Sequence, residues 1–448
     1  MKKRGKLIFN ILTIILSISF IFSFKNYVCI SPFNTKNVKE NIDYIASNRF
    51  KGRLPGTLEN KLAATYVKNQ FKEIGLLPVE NNYFETFTIK YPKRITNNSP
   101  YLNVLDKNNK LIHNFKYGKD FREDMINFKK NSIFFNKTNS QFASNNFLKI
   151  NDGKDVFLFY VPENNKINFR SSFIANYPTS MGIMITQNTF NKLQQYTKSG
   201  YSISCYIPFE VKQTSVNNVL GKIEGTNSNL PPVIVSAHFD HVGCDLCGNI
   251  YNGALDNASG TSFIIEMAKY LKSFGKPKRD IIFVAFNAEE FGCLGSENFV
   301  KKHEKYLKGA KVFNYDMVGG NTSSPLCIMG GKNDTSKTPF LRSISTTCTN
   351  AHIYFNYLFQ DSSDHKSFRK YNIDAVTFCD NDLSKIHTPN DKAEFIDTTS
   401  INRCFKVSSK EIVKYCFGKN PFIIHYKIIM IISISGVIAL LILRKTNK

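Results

Sequence analysis

An α/β fold with a mainly parallel central sheet and helices on both of its faces, carrying a β-rich insertion lobe and terminal transmembrane helices, is what this sequence predicts. Three observations lead there. From Asn218 onward, short apolar runs alternate with amphipathic helical stretches, the pattern of a parallel sheet covered by helices. Between residues 84 and 213 the chain turns rich in Asn, Phe, Tyr and Ser, with short alternating runs such as Asp155–Val161 that read as strands. Both ends are strongly apolar.

Taken in order, residues 1–29 form an N-terminal transmembrane anchor or signal segment. Met1 to Lys6 is basic, and Leu7 to Phe24 carries no charge. As a helix that run covers ~27 Å, against the ~30 Å of a hydrocarbon core. No small-x-small cleavage site follows, so an uncleaved anchor fits at least as well as a removed signal. Residues 30–83 open the main domain. There Leu62, Ala63, Tyr66, Val67, Phe71 and Ile74 share one helical face, and Gly75 stops it. The loop Gly52-Arg53-Leu54-Pro55-Gly56-Thr57 precedes that helix. Residues 84–213 are the β-rich insertion. Residues 214–418 are the core, with strands expected at Val233–Ala237, Ile281–Phe286, Val312–Tyr315 and Ala375–Cys379. Its helices are expected at Ser259–Phe274, Ser296–Leu307, Pro339–Thr349 and Thr398–Tyr415. A C-terminal transmembrane helix is expected at 422–443, stopping at Arg444-Lys445, with Lys427 snorkelling. Positive residues flank both spans on the terminal side. The positive-inside rule then puts both termini in the cytoplasm, and residues ~30–420 on the extracytoplasmic side of the cell membrane.

The 448 residues are 42% hydrophobic and 21% charged, which is globular rather than disordered. Lys and Arg number 59 against 35 Asp and Glu. The excess is scattered rather than striped and accompanies no nucleic-acid motif, so no nucleic-acid partner is expected. An anionic membrane or wall surface is the partner such a charge would suit. Ten cysteines are too few for a disulfide scaffold. The single Cys244-x-x-Cys247 reads as a loop disulfide or as two free thiols.

Five short motifs carry the chemistry: His238-Phe239-Asp240, Asp256-Asn257, Glu289-Glu290, Asp316 and His387. Each lies just past a strand-like run or in a loop beside one, and in such sheets ligands gather beyond the carboxyl ends of the strands. Two histidines and three carboxylates can hold a pair of zinc ions, with one carboxylate left as general base. In an extended His-x-Asp, Asp240 stands on the same side as His238 and can accept its second N–H. Asp256 precedes a helix and has one oxygen for each of two metals. Adjacent Glu289 and Glu290 repel unless a cation is present. One can then bind metal while the other takes a proton from water.

The chain resembles the M28 family of zinc aminopeptidases. The resemblance rests on Gly52-Arg53 with Gly56-Thr57, Ser236 to His241, Gly253 to Gly260, Asn287 to Gly292 with Leu294-Gly295-Ser296, Asn314 to Met317, Ser363-Asp364-His365 with Phe368, and His387-Thr388-Pro389. It covers about residues 40–80 and 214–416. It implies a zinc-peptidase fold like that of the phosphorylase-hydrolases, two zinc ions, and peptide substrates with a free N-terminus. One zinc would take His238 and Glu290, the other Asp316 and His387, with Asp256 between them. Glu289 would be the general base and Asp240 would support catalysis. Some members place a Tyr before the Ser-Asp-His motif as oxyanion donor. Here Gln360 and Tyr357 are the candidates. The insertion sits where many members carry a protease-associated domain. The alternatives are a single-zinc enzyme like glutaminyl-peptide cyclotransferase and a non-catalytic receptor ectodomain of the same fold.

Overall fold

The computed structural model describes residues 3–79, 82–418 and 420–446. Met1 and Lys2 of the N-terminal segment lie outside the described residues, as do Glu80, Asn81, Lys419, Asn447 and Lys448.

The expected strands exist and form the middle of one eight-stranded mixed sheet. Its order is Phe84–Arg94, Phe209–Ile223, Ile281–Phe286, Val233–His238, Lys311–Tyr315, Asp374–Cys379, Leu326–Gly330 and Phe355–Phe359. The four strands from Ile281–Phe286 to Asp374–Cys379 are mutually parallel. Their residues are almost all buried, which accounts for continuous apolar runs without polar alternation. Alternate residues serve opposite faces. Val233, Val235 and Ala237 meet the helices Thr35–Ile45, Leu58–Ile74, Gly260–Lys272 and Thr398–Phe417. Ile234, Ile282 and Val284 meet Phe299, Val300 and Leu307 of the helix Leu294–Leu307, and Phe368 of the short helix His365–Arg369.

Two strands had no counterpart among the sequence expectations. Leu326–Gly330 runs antiparallel to Asp374–Cys379 and parallel to Phe355–Phe359. Together they extend the sheet past its parallel centre, with Phe355–Phe359 at the edge.

The strand-rich stretch at 84–213 begins and ends inside the main sheet. Phe84–Arg94 pairs antiparallel with Phe209–Ile223, in register from Phe84 opposite Val219 to Arg94 opposite Phe209. The lobe proper therefore lies between Arg94 and Phe209. It holds a four-stranded sheet, a five-stranded sheet and the helix Gln187–Lys198. Its own core is aromatic, with Phe121, Phe128, Phe135, Phe157 and Phe159 fully buried. That core continues into Ala288 and Phe291 of the main domain, so lobe and domain share one apolar interior.

The helices Lys3–Cys29 and Tyr426–Thr446 are long and apolar enough to cross a membrane. They pack side by side. Gly436 allows the contact, because a Cβ there would approach Leu16 Cδ1 to 2.8 Å. The C-terminal helix does not extend back to Phe422. Pro421–Ile424 is a separate turn capped by Asn420, and the chain breaks at His425. Asn26 Nδ2 donates to the Phe422 carbonyl at 2.7 Å, which ties that turn to the first helix.

Candidate dinuclear metal site

Strand register brings the motifs together. His238 closes its strand opposite Phe286, two residues before Ala288-Glu289-Glu290. Asp316 follows Tyr315, the last residue of the next parallel strand. Asp256 lies in the turn before the helix Gly260–Lys272. That turn is held from three sides. Asp391 accepts the backbone N–H groups of Leu255 (2.7 Å) and Asp256 (3.0 Å). Asn257 donates to the Tyr315 carbonyl at 2.9 Å and accepts from Gly260 N–H at 2.8 Å. Gly260 is required there, since a Cβ would lie 2.3 Å from the Tyr315 carbonyl oxygen.

The ligand-type atoms form two groups that share Asp256. Its Oδ1 lies 3.4 Å from His238 Nε2, and Asp316 Oδ1 lies 3.3 Å from the same nitrogen. Its Oδ2 lies 3.3 Å from His387 Nε2, which is 3.1 Å from Glu290 Oε2. Within each group the candidate atoms all lie within 4.8 Å of one another. The resemblance paired His238 with Glu290 and Asp316 with His387. The structure pairs them otherwise: His238 stands with Asp316, and Glu290 with His387. The strand ending in His238 neighbours both the strand that leads to Glu290 and the strand ending in Tyr315, and the His238 ring is turned toward Asp316, with Nε2 3.3 Å from its Oδ1.

Asp240 also differs from expectation. It stands 3.7 Å from His238 Nδ1, beyond hydrogen-bond length. Instead its two oxygens accept the backbone N–H groups of Glu289 and Glu290, both at 3.1 Å. Asp240 thus shapes the loop that carries both glutamates.

The chemistry of the donors fits a pair of cations. His238, His241, Asp256, Glu290, Asp316 and His387 are buried. Burial alone would lower the pKa of His238 and His387, but the facing carboxylates outweigh it and hold both imidazoles well above their usual range. Burial would likewise raise Asp256 and Glu290. The imidazoles around them prevail and hold both well below the usual carboxylate range. The cluster therefore draws positive charge, which metal ions supply when neutral imidazoles and ionised carboxylates ligate them. Glu289 behaves oppositely. Burial, joined by Glu290, Asp316 and Asp364 against the pull of His238, holds it well above its usual range. It lines a cavity of about 360 Å³ together with Asp256, Glu290, Asp316 and His387. The apolar part of that lining includes Ile174, Met317, Met329, Leu358, Leu383 and Ile386.

Of the two oxyanion candidates, Gln360 lines the cavity. Tyr357 stacks on Phe359 and, one residue from the cavity-lining Leu358, belongs to the other sheet face. Cys244 and Cys247 are free thiols, so the loop disulfide is not formed. Arg53 gives the Gly-Arg motif its purpose. Fully buried, it donates to the carbonyls of Phe239 (2.6 Å), Asn252 (2.5 Å) and Gly253 (2.8 Å). Gly52 precedes it at φ +68°, where a Cβ would meet the Gly243 carbonyl oxygen at 2.4 Å.

Several site residues escaped the sequence reading. His241 Nδ1 lies 3.0 Å from Glu290 Oε1 and 3.7 Å from Asp256 Oδ2. A histidine three residues past His238 was the available signal. Ser363 donates to Asp316 Oδ2 at 2.7 Å, and Cys293 Sγ lies 3.2 Å from Glu289 Oε1. Ser172 donates to Glu290 Oε2 at 2.8 Å from inside the insertion lobe, and nothing in the sequence marked it.

Comparison with known proteins agrees with this geometry. Residues 218–412 match Peptidase family M28. Aminopeptidase YwaD of Bacillus subtilis (strain 168) is 36% identical over 194 residues, covering 41% of this chain and 41% of its own length. A Glutamate carboxypeptidase 2 homolog of Caenorhabditis elegans is 33% identical over 132 residues, 28% of this chain and 16% of that protein. The matched stretches thus span less than half the length of these relatives. Among solved structures, BSAP, a zinc aminopeptidase from Bacillus subtilis, superposes with a TM-score of 0.59 at 20% identity, covering 87% of this chain and 96% of that one. The aminopeptidase from Aneurinibacillus sp. strain AM-1 gives 0.59 at 17% identity, covering 86% and 94%. These two likenesses establish a common fold. Residues 218–412 thus carry the match to Peptidase family M28, on a fold shared with these solved aminopeptidases.

Proposed function

We propose that this chain is a dinuclear zinc aminopeptidase that removes the N-terminal residue from peptides. The observation that carries the proposal is Asp256, whose two carboxylate oxygens face two separate groups of ligand-type atoms. His238 and Asp316 would complete one metal position, and Glu290 and His387 the other. When bound, such a pair makes water a strong nucleophile at neutral pH and polarises the scissile carbonyl.

The remaining work belongs to the chain itself. Glu289 takes a proton from the attacking water and returns it to the leaving amine. Its raised pKa suits a base that must also act as an acid. Asp240 holds Glu289 and Glu290 by their backbones. The wall of Ile174, Met329, Leu358 and Ile386 excludes water and receives an apolar side chain. Gln360 is the candidate donor to the developing oxyanion. The terminal helices anchor the chain in a membrane. The basic residues beyond them support a topology with both ends in the cytoplasm and the active site outside.

The test uses the full chain in detergent, an aminoacyl chromogenic substrate, and elemental analysis after zinc reconstitution. Hydrolysis that a chelator abolishes and zinc restores, with two zinc ions per chain, is expected. One zinc with cyclisation of N-terminal glutamine would replace the proposal by the cyclotransferase reading. Full metal loading without turnover of any peptide would favour a receptor.

A further inference from the structure

The insertion lobe sends one extended segment, residues 168–174, across to the metal site. Its contacts there fall on one of the two atom groups. The Arg170 carbonyl accepts from His387 Nδ1 at 2.7 Å, and Arg170 N–H donates to the His387 carbonyl at 3.1 Å. A carbonyl can only accept, so Nδ1 carries a proton, and Nε2, which faces Asp256 and Glu290, is the nitrogen left to ligate a metal. The Phe169 ring stacks on the His387 ring, with centroids 5.5 Å apart and planes at 23°. Ser172 hydroxyl donates to Glu290 Oε2 at 2.8 Å, and Phe173 N–H donates to the Glu290 carbonyl at 3.0 Å.

The segment is held by buried charge. Arg170 and Glu123 form an ion pair at 3.0 Å, with both side chains fully buried. Tyr251 of the catalytic domain donates to the Asn168 carbonyl at 2.9 Å and lies under the Arg170 guanidinium. Arg122 of the lobe donates to Tyr251 Oη at 3.1 Å and pairs with Asp245 at 2.7 Å. Asp245 lies between Cys244 and Cys247, so that loop serves as the catalytic domain's anchor for the lobe. Buried ion pairs are a poor way to gain stability, since apolar residues of similar size often do better. What they supply here is a fixed position for residues 168–174.

We infer that residues 169–173 of the lobe are positioning residues for His387 and Glu290, and that they set the metal affinity of that position while leaving the His238–Asp316 position untouched. The inference rests on the two-metal reading above. Removing outer partners of a ligating histidine or carboxylate weakens metal binding by about 10- to 100-fold.

The test measures zinc affinity by competition with a chromophoric chelator, on the full chain in detergent, for wild type, Ser172→Ala, Ser172→Thr and Phe169→Ala. Each substitution is small enough to leave the fold, and thermal melting of the apo chain checks this. The expected result is biphasic zinc binding in which one phase weakens about tenfold or more in Ser172→Ala and Phe169→Ala, while the other stays within twofold. Ser172→Thr, which keeps the hydroxyl, restores the weakened phase. Unchanged binding in both variants overturns the inference, as does equal weakening of both phases, which a merely structural role would give. A wild-type chain that binds a single zinc sinks the two-metal reading instead. The positioning role then stands or falls on whether Ser172→Ala weakens that one ion.

Discussion

Asp240 grips Glu289 by its backbone rather than by its side chain: Oδ1 accepts the Glu289 N–H at 3.1 Å while Oδ2 takes that of Glu290. One aspartate therefore sets the direction of both glutamates. Glu289→Gln is expected to lower kcat by about 10²- to 10⁴-fold, the usual share of a general base, with zinc content unchanged. Asp240→Asn exchanges one accepting oxygen for a donor that faces an N–H. It is expected to lower kcat by about tenfold or more while also reducing zinc retention. Steady-state kinetics beside elemental analysis separates the two. Equal kinetics for wild type and Glu289→Gln would remove Glu289 from the mechanism.

Arg53 closes the floor under the Asp256 turn. Arg53→Met leaves three buried carbonyls short of a donor, each costing about 1–3 kcal/mol. A loss of about 3 kcal/mol or more in chemical denaturation is expected. Arg53→Lys is expected to recover little of it, because an ammonium lacks the fork that reaches several carbonyls at once. Full recovery by lysine would mean that charge alone matters here.

Glu85 gives a pH dependence remote from the metals. Burial alone would raise its pKa. The hydrogen bond and charge of His303, with Asn218 and Lys302, outweigh that and hold it below the usual carboxylate range. A folded pKa below the unfolded one stabilises the protein above the unfolded pKa, near 4.3 for Glu. That contribution disappears as pH falls through the lower, folded value. Wild type should therefore lose more stability than Glu85→Gln as pH drops from about 5 toward 3. Denaturation midpoints for both proteins across that window check it. Parallel curves would contradict it.

Metal removal should show in stability as well as in rate. The apo site confines Asp256, Glu290, Asp316 and Glu289 around protonated imidazoles. Zinc at 100 times its dissociation constant stabilises the fold by about 2.7 kcal/mol for each site. A chelator is expected to lower the melting temperature by several degrees in wild type. The drop should be clearly smaller in a His238→Ala, His387→Ala double variant. An unshifted wild type would argue against a built metal site.

How far the sequence could be read depended on the kind of information each feature needs. The strands at Val233–His238 and Ile281–Phe286 are continuous apolar runs, and the ligand-type residues past them are recognisable by type and spacing. The grouping of His238 with Asp316 depends on how each side chain is aimed within the shared sheet edge, and local pattern does not encode that. Leu326–Gly330 ends in Met329-Gly330 and Phe355–Phe359 is interrupted by Asn356, so neither shows the unbroken β-branched run that marks Val233–Val235. Ala288, Cys293, Met317 and His387 all adopt positive φ around the site. None is the glycine that would have signalled such a turn. The reach of Ser172 to Glu290 joins residues 118 positions apart, and no motif announced it.

Under the proposed membrane anchoring, the side-by-side terminal helices govern how the domain would leave the membrane. The linkers at Ile30–Asn34 and 418–420 are short. Both helices are long enough to span. A protease that cuts one linker leaves the folded domain tethered through the other. Shedding therefore requires two cleavages. Under that topology a single nick, which would free a protein with one anchor, would leave this domain attached.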